Sequence, residues 1–182
     1  MKTTRIFLAA AILAVTASNA DAQIGIMAGV NFASVSAQAG GADVSTDGRT
    51  GFNAGVFAAK GGIVGFAGGL FYSQKGFAVS GNEVKLDYLE IPLMLRVKFL
   101  MLRAYGGPNL AFELSCNSDS ESLVSCSDDT ESFDFGWKVG VGGTLLFFNL
   151  DVAYIYGTTN ISKVEGTSIK NRVIQVDLGL GI

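Results

Sequence analysis

Over most of the chain beyond residue 23, apolar side chains recur at every second position. Successive strand side chains point to opposite faces, so this period calls for strands and leaves little room for amphipathic helices. The clearest run ends at Phe99: Leu89, Ile91, Leu93, Leu95, Val97 and Phe99 share one face, and Tyr88, Glu90, Pro92, Met94, Arg96 and Lys98 the other. Next, Leu102, Ala104, Leu110, Phe112 and Leu114 alternate with Arg103, Tyr105, Asn109 and Glu113. Phe135, Trp137, Val139 and Val141 alternate with Asp134 and Lys138; Val152, Tyr154 and Tyr156 with Asp151 and Ala153; Ile174, Val176, Leu178 and Leu180 with Gln175 and Asp177. With Gly- and Ala-rich segments near 24–36, 50–60 and 62–75, the pattern predicts eight strands.

The connections alternate too. Short turns are expected at Lys60-Gly61-Gly62, around Phe99-Leu100 and near Phe148-Asn149, and long polar loops at 37–49, 76–83, 115–132 and 158–171. Short turns at one end and long loops at the other describe an up-and-down barrel. A soluble barrel would turn its apolar face inward and need a charged outer face. Here the polar face is mostly Gly, Ala and Asn with a few ions, a poor surface for water and a good filling for a narrow lumen. The apolar face carries aromatics towards the strand ends, among them Phe71, Tyr72, Phe133, Trp137, Tyr154 and Tyr156. Such a face aggregates in water and is at home in lipid. The fold expected is therefore all-β: an eight-stranded antiparallel up-and-down transmembrane β-barrel.

Residues 1–22 read differently. Lys2 and Arg5 precede the apolar run Ile6–Val15, and Ala20-Asp21-Ala22 supplies small residues around one variable position. This is the order of a secretory signal peptide, with cleavage expected after Ala22 and a barrel domain over 23–182. The apolar run is shorter than the roughly 20 residues of a spanning helix. The short turns and both ends of the barrel would then face the periplasm of a Gram-negative cell.

Composition narrows function mainly by exclusion. The chain of 182 residues has no His, which removes the commonest general base and metal ligand. A net charge of −3 gives no basic face for nucleic acid. Gly140-Val141-Gly142-Gly143 lies in a strand with no helix after it, so close packing inside the barrel explains it better than a phosphate loop. No catalytic residues, cofactor or metal are expected.

Several segments resemble a known family: Phe71-Tyr72-Ser73-Gln74-Lys75-Gly76, Tyr88-Leu89-Glu90-Ile91-Pro92-Leu93, Gly106-Gly107-Pro108 and Tyr154–Ile161. They look like the small outer-membrane β-barrel proteins of Bacteroidota-type bacteria, often labelled porin family or PorT-like. The Tyr-x-Glu-Ile-Pro-Leu block is the most specific part. The resemblance implies an eight-stranded outer-membrane barrel whose molecular role is usually unassigned.

Three constellations carry the functional expectations. The first is a lumen charge network of Glu90, Arg96, Arg103, Glu113, Lys138, Asp151 and Asp177, with Lys75, Lys98 and Asp134 beside them. Buried charges must pair to escape desolvation, and eight strands enclose little more than their own side chains, so a self-neutralising plug is the main expectation. The second is a disulfide between Cys116 and Cys126, expected in an oxidising compartment. The third is an acidic loop carrying Asp119, Glu121, Asp128, Asp129 and Glu131 with no Lys or Arg nearby. These point to a non-enzymatic barrel with a structural or surface-interaction role through its long loops. The alternatives are a small-solute channel and a PorT-like accessory role in secretion. Partners expected are outer-membrane lipid and lipopolysaccharide, the barrel-assembly machinery and periplasmic chaperones during biogenesis, and a surface partner the sequence does not name.

Overall fold

The computed structural model describes residues 22–39, 42–44, 47–79, 82–118, 133–159 and 167–181. Its strands are β1 (Ala22–Ala39), β2 (Ala42–Val44), β3 (Asp47–Gly61), β4 (Val64–Val79), β5 (Asn82–Phe99), β6 (Leu102–Ser118), β7 (Phe133–Leu145), β8 (Phe148–Gly157) and β9 (Thr167–Gly181). Each long strand pairs antiparallel with its neighbour in sequence, and β1 also pairs with β9 from Gly25↔Gly181 to Ala39↔Thr167. That last ladder closes eight long strands into a barrel and removes the sheet edges. The three-residue β2 extends the long-connection end by folding back on β1 at Ala37↔Val44.

The faces follow the alternation. Outward lie Ile26, Val30, Leu93, Leu95, Val139, Val141, Val152, Leu178 and Leu180, all exposed. Aromatics edge this apolar band at both ends. Phe52 and Tyr72 (ring centroids 5.5 Å apart), Phe112 and Phe133 (5.3 Å) and Trp137 lie towards the long connections, and Phe66, Phe99, Phe147 and Phe148 towards the short turns. Beyond the first girdle the outer face turns polar: Ser115 Oγ donates to Asp87 Oδ2 at 2.8 Å, and the Arg172 guanidinium stacks 3.7 Å from the Tyr156 ring centroid. An apolar band between aromatic rims matches the profile of a bilayer.

Several details differ from expectation. Phe71 faces inward and is buried, because neighbours on a strand take opposite faces and Tyr72 faces outward. No long loop occupies 76–83: Gly76↔Lys85 through Val79↔Asn82 continue the β4–β5 ladder almost to its tip. Gly76 suggests a break, but with φ +148 it stays in the strand, and Phe77, Val79 and Val84 are good strand residues. The third short turn is Leu146-Phe147 rather than Phe148-Asn149. Asn149 looks like a turn former, yet its side chain is buried and hydrogen-bonded inside the barrel. The loop expected over 115–132 begins later, since β6 runs to Ser118.

Candidate functional site: the barrel interior

The interior divides into two halves along the barrel axis. In the half nearer the long connections, polar side chains meet one another across strands. Asn31 Nδ2 donates to Ser73 Oγ at 2.9 Å and to the Gln74 carbonyl at 2.8 Å. Asn53 Nδ2 donates to Asn31 Oδ1 at 3.1 Å and to Asp177 Oδ1 at 2.9 Å, which links this layer to the next. Lys75 Nζ lies 2.6 Å from Glu90 Oε1 and 4.9 Å from the Tyr88 ring centroid. Asn171 Nδ2 donates to Asp134 Oδ2 at 2.7 Å. Apolar residues fill the remaining space: Leu86 and Val173 are 0% exposed, and Ala33 and Ile155 pack with Val173. Tyr88 is also 0% exposed, and Lys75 and Glu90 are 1%.

Nearer the short turns, Arg103 is the hub. Its Nε donates to Asp151 Oδ1 at 3.0 Å and its Nη2 pairs with Asp151 Oδ2, a two-pronged ion pair. Nη1 donates to Asn149 Oδ1 at 2.8 Å and to Thr144 Oγ1 at 2.5 Å. Lys138 Nζ donates to Gln175 Oε1 and sits 5.7 Å from the Phe71 ring centroid.

Glycines make room for these side chains. An added Cβ at Gly142 would fall 2.1 Å from Asp151 Oδ1, and one at Gly140 would fall 2.5 Å from the Tyr105 ring. Each of these glycines stands across the ladder from the residue it accommodates. The Gly140–Gly143 run is therefore a packing device, as its place in a strand implies.

Of the network expected from sequence, Glu90, Arg96, Lys138, Asp151 and Asp177 are buried, Arg103 is 9% exposed, and Glu113 is half-buried. Within that set Arg103 and Asp151 join as an ion pair, whereas Glu90 pairs with Lys75, Asp177 accepts from Asn53 and Lys138 donates to Gln175. Lys98 is exposed near the short turns, too close to the end of β5 to be covered. Cys116 lies on β6 opposite Leu86, while Cys126 lies outside the described residues, as do Asp119, Glu121, Asp128, Asp129, Glu131 and residues 1–21. The amides of Asn31, Asn53, Asn149 and Asn171 are contributors the charge pattern misses. Asn is depleted in strands, so Asn at inward positions is the signal that could have found them.

Closed strand order, an outward apolar band and a charged interior agree with the comparison that decides the family. The model for the outer membrane protein beta-barrel domain matches residues 6–181. The chain belongs to that family. It is an integral outer-membrane β-barrel. Among solved structures, Neisserial surface protein A aligns with a TM-score of 0.58 at 17% identity, over 86% of this chain and 96% of that one. Ail, the attachment invasion locus protein of Yersinia pestis, solved with the heparin analogue sucrose octasulfate, gives 0.48 at 15%, over 88% and 99%. AlkL, solved by solid-state NMR in lipid bilayers, gives 0.47 at 15%, over 91% and 93%. At such identity the first likeness concerns the fold alone. No curated protein matches the chain.

Proposed function

We propose that this barrel is non-enzymatic, that its lumen is closed to solutes, and that its long connections work at the cell surface. The supporting observation is the layer of Lys75, Glu90, Tyr88, Leu86 and Val173, each 1% exposed or less, which spans the interior below those connections. A conducting pore needs a continuous water path and is favoured by rings of one sign; this layer offers a neutralised pair and apolar side chains instead.

The surface role rests on the acidic segment of Asp119, Glu121, Asp128, Asp129 and Glu131, between β6 and β7, braced by a Cys116–Cys126 bridge. Closing so short a loop contributes roughly 2–3 kcal/mol in the chain-entropy treatment. A concentration of carboxylates suits a divalent cation, and through it the phosphates of lipopolysaccharide, or a basic partner. Export by a signal peptide cleaved after Ala22, and insertion with the help of periplasmic chaperones and the barrel-assembly machinery, complete the reading. The Tyr88–Leu93 block supports a place among the PorT-like, porin-family barrels of Bacteroidota-type bacteria.

The test uses proteoliposomes and lipopolysaccharide with calcium, read by co-sedimentation. Neutralising the five acids should abolish binding while heat-modifiable gel migration, the sign of a folded barrel, stays unchanged. Undiminished binding would remove the loop from the account. N-terminal sequencing of the outer-membrane form should begin at Gln23, and thiol labelling without reductant should find neither cysteine reactive.

A further inference from the structure

The short-turn half of the interior holds a feature that the surface role does not use. A cavity of about 80 Å³ lies there, with room for roughly six water-sized groups. One wall is apolar, formed by Met27, Phe57, Phe71 and Met94; the other carries Arg96, Arg103 and Lys138 against only Asp151 and Asp177. Three cations thus face two carboxylates; Arg103 pairs with Asp151 and Lys138 donates to the neutral Gln175, and Arg96 is the cation with neither contact. Arg96 is 8% exposed, and among the described residues its Nε has no hydrogen-bond partner and no carboxylate forms an ion pair with it. A nearly buried guanidinium without a counter-charge is costly and favours an incoming anion. Along β5 from the short turn inward, the exposed Lys98 is followed by Arg96 and then Met94, so charge lies outermost and the apolar wall deeper. Water has access from that end, where Gln23 and Tyr105 are partly exposed.

We propose that this cavity binds a small amphiphilic anion, a short-chain carboxylate, with its acid group on Arg96 and its alkyl end between Met94, Met27 and the rings of Phe57 and Phe71. Carboxylates of about six to eight non-hydrogen atoms, butyrate to hexanoate, fit the space. Arg supplies the forked donor geometry that a carboxylate accepts, and the apolar wall selects against fully hydrated inorganic anions.

The methionines make the experiment direct, because Met27 and Met94 line the cavity and Met101 lies exposed in a short turn. The full barrel, reconstituted in lipid nanodiscs with 13C-methyl methionine, is titrated with sodium hexanoate. The expected result is saturable movement of the Met27 and Met94 methyl signals with Met101 stationary. Arg96→Gln should weaken binding at least tenfold and Arg96→Lys should restore part of it, each variant first checked by heat-modifiable migration. Hexanol, hexylamine and sodium chloride at equal concentration are the controls. Absence of saturation, equal shifts with hexanol, full competition by chloride, equal movement of Met101, or unchanged affinity in Arg96→Gln would each overturn the proposal.

Discussion

The two halves of the barrel interior solve the same problem in different ways. Both must accommodate charged side chains within a ring of eight strands. The half below the long connections pairs Lys75 with Glu90, caps the pair with the Tyr88 ring, and closes the remaining space with Leu86, Ile155 and Val173. The half above the short turns pairs Arg103 with Asp151 but leaves Arg96 beside a cavity and in reach of water. The lesson is that closure depends on apolar partners as much as on charge pairing. Ion pairs alone leave gaps that water enters, whereas Tyr and branched aliphatics fill the section to packing density.

The contrast is open to attack by substitution. Losing one member of the sealed pair has the largest expected effect: Glu90→Ala should destabilise the barrel by about 3–5 kcal/mol, because it strands the Lys75 ammonium in the interior. Reversible urea unfolding in lipid vesicles, followed by the fluorescence of Trp137, measures this; a loss below 1 kcal/mol would mean the pair is hydrated. Next comes Gly142→Ala, whose new methyl collides with Asp151 Oδ1 and disturbs the Arg103 hub, at an expected cost of about 1–3 kcal/mol in the same assay. By contrast, Arg96→Ala should not destabilise the barrel, since it removes a nearly buried cation that no carboxylate offsets and whose burial is itself unfavourable. Equal losses in Arg96→Ala and Glu90→Ala would erase the distinction between the halves. The smallest change is a gain. Leu146 holds φ at +58 in the Leu146-Phe147 turn, so Leu146→Asn should stabilise by roughly 0.5–1 kcal/mol, seen as a shifted urea midpoint.

The outer face was more legible in the sequence than the inner one. Lipid contact is a simple requirement met by any apolar side chain at every second position, so Leu89 to Phe99 and Ile174 to Leu180 revealed their orientation at once. The interior is harder because its logic is pairwise between distant strands. Nothing local in Asn31 or Asn53 says that their amides meet Ser73 and Asp177 more than 40 and 120 residues away. Glycine and asparagine misled for a related reason. Gly76 and Asn149 are turn formers by local preference, but the barrel uses one inside a ladder and the other as an acceptor for Arg103. For Phe71, aromatic character points to the membrane rim, while strict alternation with Tyr72 requires the opposite face, where it is buried. The charge network was legible as a set of inward positions; its division into a Lys75–Glu90 pair and an Arg103–Asp151 hub depends on register that period two does not supply.

The central claim, that one half seals the lumen while the other stays open to water, is tested most directly by conductance of the folded barrel in planar bilayers. The account predicts an electrically silent wild type under both polarities, with current appearing only when the seal is removed, as in a Tyr88→Ala, Leu86→Ala double variant that still shows heat-modifiable migration. Discrete conductance steps in the wild type, altered by Arg96→Ala, would contradict it and make the barrel a channel.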